Sequence, residues 1–112
     1  MSEENILIQV AMQIILNAGN ARLKASDALS FAKKGEFAKA EELMAQAEED
    51  IVTAHKAQTE VIQNEMSGKG YDYSLLFTHA QDTLMTIKSE LTFSKELIDV
   101  LKIVIGKDGT NE

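Results

Sequence analysis

Residues 37–65 read FAKAEELMAQAEEDIVTAHKAQTEVIQNE, and Phe37, Ala40, Met44, Ala47, Ile51, Ala54, Gln58, Val61 and Glu65 recur through them at steps of three and four. That is the period of one face of an α-helix and not the alternation of a strand. Two members of the series, Gln58 and Glu65, are polar and fall towards its end. Just upstream, Ala32-Lys33-Lys34-Gly35 places basic residues before a glycine, the usual way for a helix to stop. Downstream, Gly68 and Gly70 bracket Lys69 in a second break. With six glycines and no proline in 112 residues, glycine is the only strong punctuation, and the segments between breaks run uninterrupted.

The same period extends outward in both directions. Before Gly35, Ile6, Val10, Ile14, Ala18, Ala21, Ala25, Ala28 and Ala32 step by four or three, with Ser2 placed to cap the helix and Glu3 and Glu4 set favourably against its dipole. After Gly70 a third helix begins near Asp72 or Ser74, either of which is a good N-cap. Its stripe is Leu76, Ala80, Leu84, Ile87, Leu91, Ser94, Ile98, Leu101 and Ile105. Segments of about 30 residues make helices of roughly 45 Å. The first connection is almost a single residue, so helices one and two pack antiparallel. The fold expected is all-α, an antiparallel three-helix up-down-up bundle. One domain covers 1–105, and a polar tail, 106–112, frays.

Helix three carries more apolar surface than a three-helix bundle uses. Phe93, Leu97, Val100 and Val104, with Met85 and Ile103 nearby, form a second stripe displaced around it. A helix apolar over much of its circumference is buried on more than one side, so self-association through helix three is expected.

Composition closes off several classes. The net charge is −7 and no basic stripe exists, which argues against nucleic acid. No apolar run approaches the roughly 20 residues of a bilayer span, and the acidic start, Met-Ser-Glu-Glu, is no signal peptide. The chain has no cysteine, hence no disulfide, thiolate or Cys-ligated metal. A soluble protein of the reducing cytoplasm is expected, with no direct membrane insertion. Catalytic motifs fail in turn. There is no Gly-x-Ser-x-Gly turn, and Ser67-Gly68-Lys69-Gly70 lacks the upstream glycine of a phosphate loop. Val52 and Leu76 stand three residues before the two histidines, where a di-iron bundle needs glutamate.

What remains is a histidine acting alone. His55 lies late in helix two and His79 early in helix three, the only two in the chain. Imidazole is nucleophilic near neutral pH and carries a phosphoryl group through one nitrogen. Thr78, Gln81 and Thr83 stand beside His79 as candidate donors to phosphate oxygens. Asp82, three residues on from His79, occupies an adjoining face. If helix three associates about a symmetry axis, copies of Asp82 converge, and an oxygen-preferring ion such as Mg²⁺ relieves their repulsion. A solvent-facing aspartate is the plainer alternative.

These residues also resemble a known family. Leu75-Leu76-Phe77-Thr78-His79-Ala80-Gln81-Asp82-Thr83-Leu84-Met85 resembles the active-site signature of the enzyme IIA components of the lactose/cellobiose family. These belong to the bacterial phosphoenolpyruvate-dependent sugar phosphotransferase system (PTS). Ile14-Ile15-Leu16-Asn17-Ala18-Gly19-Asn20-Ala21-Arg22 is similar to that family's first helix, Ala32-Lys33-Lys34-Gly35-Glu36-Phe37 to its first turn, and Ala54-His55-Lys56-Ala57-Gln58-Thr59 to its second helix. The resemblance implies a homotrimer of three-helix bundles joined through helix three. It implies a phosphohistidine carrier, not a stand-alone catalyst, with His79 accepting the phosphoryl group from HPr and passing it to the IIB component. The sugar would be a β-linked disaccharide of cellobiose, lactose or chitobiose type. The family's axial metal-binding aspartate maps onto Asp82, as a ligand to Mg²⁺. Gln81, Thr83, His55 and Gln58 are left as supporting residues. Where the family commonly has a further histidine, this chain has Thr83. An apolar rim including Phe77 and Leu75 is expected to give specificity. The competing readings are a non-catalytic oligomeric interaction module and a regulatory PTS paralogue.

Overall fold

The computed structural model describes residues 3–68 and 70–105. Within them the chain forms α1 (Glu3–Lys33), α2 (Phe37–Met66) and α3 (Leu75–Ile105), an antiparallel up-down-up bundle. The Ser2 cap, the Glu3 and Glu4 side chains and the tail 106–112 lie outside the described residues. Every regular element within them is helical.

The helix ends follow from local chemistry. Gly35 sits at φ +81°. Its N–H bonds the Ala32 carbonyl at 2.9 Å, while the Glu36 N–H reaches back to Phe31 at 3.0 Å. This crossed pair satisfies the last carbonyls of α1, and the left-handed φ is one that glycine adopts without steric cost. At the other break Ser74, and not Asp72, caps α3: its Oγ accepts the Phe77 N–H at 3.1 Å. Ser74→Ala should therefore destabilise the protein by about 1 kcal/mol, read as a lowered thermal midpoint with His79 chemistry unchanged.

Alanine sets the packing. Ala11, Ala18, Ala21, Ala28 and Ala32 on α1 face Ala40, Ala47 and Ala54 on α2, all with no exposed surface. Side chains this small let the two backbones approach closely. Ile14, Leu84 and Ile87 are the largest fully buried side chains and fill the space towards α3. The buried positions of α2 are Ala40, Met44, Ala47, Ile51, Ala54, Gln58 and Val61, as the period requires; Phe37 is half-buried and Glu65 exposed. On α3 the buried run includes Phe77, while Leu76, Leu101 and Ile105 are half-buried.

The start of α1 departs from expectation. Leu7 and Ala11 are buried, whereas Ile6 is 36% exposed and Val10 half-buried. Both series satisfy three–four spacing, because Ile6-Leu7-Ile8 and Ile14-Ile15-Leu16 are apolar around much of the helix. Packing, and not period, chooses between them. Helix α1 also qualifies, by length and composition, as a bilayer-crossing segment: Ile6–Lys33 reaches a mean hydropathy of 1.2. Counting uninterrupted runs missed this. Its apolarity is spread over two faces, the alanine seam in the core and an outer row of Ile8, Met12, Leu16 and Leu23.

Ion pairs fix the register. Asp50, Glu48 and Glu41 of α2 receive Lys24 of α1 at 2.7 Å and Lys95 and Lys102 of α3 at 3.3 and 2.6 Å. Arg22 joins α1 to α3 by a two-pronged contact with Glu90 at 2.8 and 2.9 Å. That hydrogen bond holds the Glu90 carboxyl below its ordinary range and raises Arg22. The contribution is therefore present above the ordinary glutamate range and lost as pH falls through the lowered value. Both side chains are about half exposed, with relative areas of 52% and 45%, so it amounts to under about 1 kcal/mol. Glu90→Gln should remove that much of the stability difference between neutral and acid pH in urea titrations.

Candidate functional site

His79 is the fifth residue of α3, one turn beyond the Ser74 cap, and is exposed. It lies past the first turn, where the helix dipole acts most strongly, so the field there adds little. Its imidazole has no hydrogen-bond partner among the described residues. An incoming group therefore meets both ring nitrogens free of competing protein contacts.

Asp82 is also exposed and forms no ion pair among the described residues. At 3.6 residues per turn it stands about 60° around the helix from His79, so the two share a side of α3. That side continues into Phe93, Leu97, Val100 and Val104, which are 70%, 51%, 51% and 53% exposed. A groove of about 340 Å³ between α1 and α3, lined by Arg22, Leu29, Glu90, Phe93 and Leu97, runs along it.

The neighbouring residues divide. Gln81 lies about 160° from His79 around the helix and is half-buried. It lines a separate cleft of about 200 Å³ with Glu65, Tyr71, Asp72 and Thr78. The Thr83 hydroxyl donates to the His79 carbonyl at 2.9 Å, and the Thr78 hydroxyl donates to the Ser74 carbonyl at 3.2 Å. Those donors are spent on the backbone in this arrangement. Phe77 is 9% exposed and belongs to the core, so it forms no rim; Leu75, at 73%, is free to do so.

His55 is exposed on α2, its Nδ1 lying 3.4 Å from the Thr59 hydroxyl. No hydrogen bond joins it to His79 among the described residues. Gln58 sits in the middle of the core stripe at 8% exposure, its Oε1 buried without a partner. An unpaired buried acceptor costs roughly 1–3 kcal/mol.

No cluster of three or more His, Cys, Asp or Glu able to hold a metal exists among the described residues. One chain offers Asp82 alone, a single hard oxygen ligand. This fits a divalent ion only where several copies meet.

Sequence inspection missed the outer row of α1. Ile8, Met12 and Leu16 step by four and Leu23 follows two turns on, so a signal existed.

The fold and site define a helical bundle that presents one exposed histidine beside an aspartate at the head of an apolar face. Residues 9–102 match the family profile described as the PTS system, lactose/cellobiose specific IIA subunit. The lichenan-specific phosphotransferase enzyme IIA component of Bacillus subtilis is 36% identical over 111 residues, 99% of each chain. The crystal structure of the PTS cellobiose-specific enzyme IIA from Bacillus anthracis superposes with a TM-score of 0.85 at 44% identity, covering 90% of this chain and 93% of that one. The Escherichia coli IIA(chitobiose), solved in complex with HPr, gives a TM-score of 0.78 at 36% identity, with coverage of 88% and 95%. The chain belongs to the lactose/cellobiose-specific IIA family of the PTS. It is a part of that phosphotransferase system.

Proposed function

We propose that the chain is a cytoplasmic phosphocarrier in which His79 accepts a phosphoryl group from phospho-HPr and passes it to a IIB component. The reading rests on one observation above others: the histidine of the His-Ala-Gln-Asp signature is exposed and unpartnered at the head of α3. The HPr complex of a relative with the same fold supports the donor. In the first step an imidazole nitrogen of His79 attacks phosphorus; the new N–P bond forms as the bond from phosphorus to HPr breaks. In the second, the IIB nucleophile attacks the same phosphorus and His79 leaves as neutral imidazole. The phosphoryl group is conserved throughout, and no other reactant is consumed.

The cargo is a β-linked disaccharide of cellobiose, lactose or chitobiose type, taken up by the membrane partners of IIB. With labelled phosphoenolpyruvate, enzyme I, HPr and a cognate IIB, label should reach IIB only when this chain is present. Equal labelling of IIB without it would contradict the reading.

The working form is a homotrimer joined along the exposed α3 face, in which the Asp82 carboxylates of three copies would hold Mg²⁺. When bound, the ion would neutralise convergent carboxylates. Chelation should therefore weaken the trimer, and Asp82→Leu should abolish that dependence by replacing repulsion with apolar contact. Sedimentation with and without chelator checks both. An Asp82→Leu protein that falls to monomer, or a wild type indifferent to chelator, contradicts the metal's place.

A further inference from the structure

His79 and Asp82 stand on one side of α3, three residues apart, both exposed, and neither side chain is paired among the described residues. The same side carries the Phe93–Val104 stripe, and no basic side chain on α3 shares it. Arg22 of α1, the nearest cation along the groove, is already held by Glu90 at 2.8 Å. Phosphorylation adds roughly −1.5 to −2 charges to a chain of net charge −7. We infer that phosphorylation of His79 and self-association are negatively coupled, with Asp82 as the element through which each opposes the other. The inference rests on the carrier and trimer readings above and adds to them a regulation.

The argument is geometric. Copies that meet along the α3 stripe bring their Asp82 carboxylates together. A phosphoryl group less than one turn away on the same side is then held close to the carboxylates of neighbouring copies, which repel it. In the free chain it faces only its own. The phosphorylated form therefore associates less tightly than the unphosphorylated one. Linkage is reciprocal: whatever factor phosphorylation takes from association, association takes from the stability of the phosphohistidine. The assembled carrier thus gives up its phosphoryl group more readily than the free chain does.

The test is a cycle of association constants in chelator, measured by sedimentation. The proteins are wild type, enzymatically phosphorylated wild type, His79→Glu, Asp82→Asn and the double variant. Phosphorylation and His79→Glu should each weaken association by at least about fivefold, the lower end of ordinary coupling. Asp82→Asn should largely erase both effects. The phosphoryl exchange equilibrium with HPr should also shift towards HPr as this chain is concentrated. Equal association of phosphorylated and free protein overturns the inference, as does a loss that persists undiminished in Asp82→Asn. A chain monomeric at every concentration overturns it too. His79→Glu needs no HPr, so an Asp82-dependent loss in that variant supports the coupling even if HPr fails to phosphorylate His79. Phosphorylation without any shift in association defeats the coupling and leaves the carrier standing.

Discussion

His79→Ala is expected to abolish acceptance of phosphoryl groups, lowering the rate by at least about 1,000-fold, as removal of the reacting nucleophile should. The side chain is exposed and takes part in no hydrogen bond or ion pair among the described residues. Alanine is also the better helix former by several tenths of a kcal/mol. The variant should therefore be as stable as wild type or slightly more so, which separates lost chemistry from lost fold. His55→Ala is the matched control: also exposed and helical, paired only with Thr59 at 3.4 Å, it should keep full activity. No cysteine is available to substitute, and the Thr83 hydroxyl is given to the His79 carbonyl. Initial rates of labelling from phospho-HPr check the pair. Substantial labelling of His79→Ala would move the carrier role elsewhere in the chain.

The second large effect concerns assembly. Phe93 is 70% exposed near the middle of α3, the first residue of the apolar stripe, and lines the groove shared with α1. An aromatic anchor at the middle of an interface contributes about 2 kcal/mol or more, a factor of roughly 30, and a buried unpaired charge in its place costs more. Phe93→Asp should thus reduce self-association at least about 30-fold. In the free chain the same change is mild, because the site already faces water. Val52→Asp is the control: Val52 is 51% exposed on α2, away from that face, and should leave association intact. Light scattering across a dilution series distinguishes them. Equal behaviour of the two variants would mean that the α3 stripe is not where copies meet.

How much of this was legible before the fold was known depends on what each residue's signal encodes. The three helices were, because glycine punctuation and a three–four period are local, and the buried series of α2 follows that period from Ala40 to Val61. The end of α1 was legible for the same reason, since Ala32-Lys33-Lys34-Gly35 closes as its residue types dictate. The seam at the start of α1 was not. Leu7 and Ala11 won over Ile6 and Val10 through contacts with residues distant in sequence. The dual role of α1 was hidden because apolarity in short runs does not announce how many faces it covers.

At the site, exposure of His79 and Asp82 agrees with their spacing on α3. Their residue types pointed to phosphoryl chemistry only in company with the family signature. The rim expected to include Phe77 overlooked its spacing: Phe77, Ala80, Leu84 and Ile87 step by three and four and are all buried. Spacing did misjudge Thr78 and Thr83 as free donors, because a threonine hydroxyl in a helix readily bonds the carbonyl four residues back. Gln58 was read as a member of an apolar stripe, and it is one. The orphaned acceptor it carries there is visible only in three dimensions.

The most direct test of the central claim is intact-mass analysis at neutral to alkaline pH after incubation with phosphoenolpyruvate, enzyme I and HPr, followed by fragmentation to place the modification. The account predicts one acid-labile phosphoryl group per chain, carried on the His79 imidazole. A chain that stays unmodified beside fully phosphorylated HPr, or one modified on His55 and not His79, would contradict it.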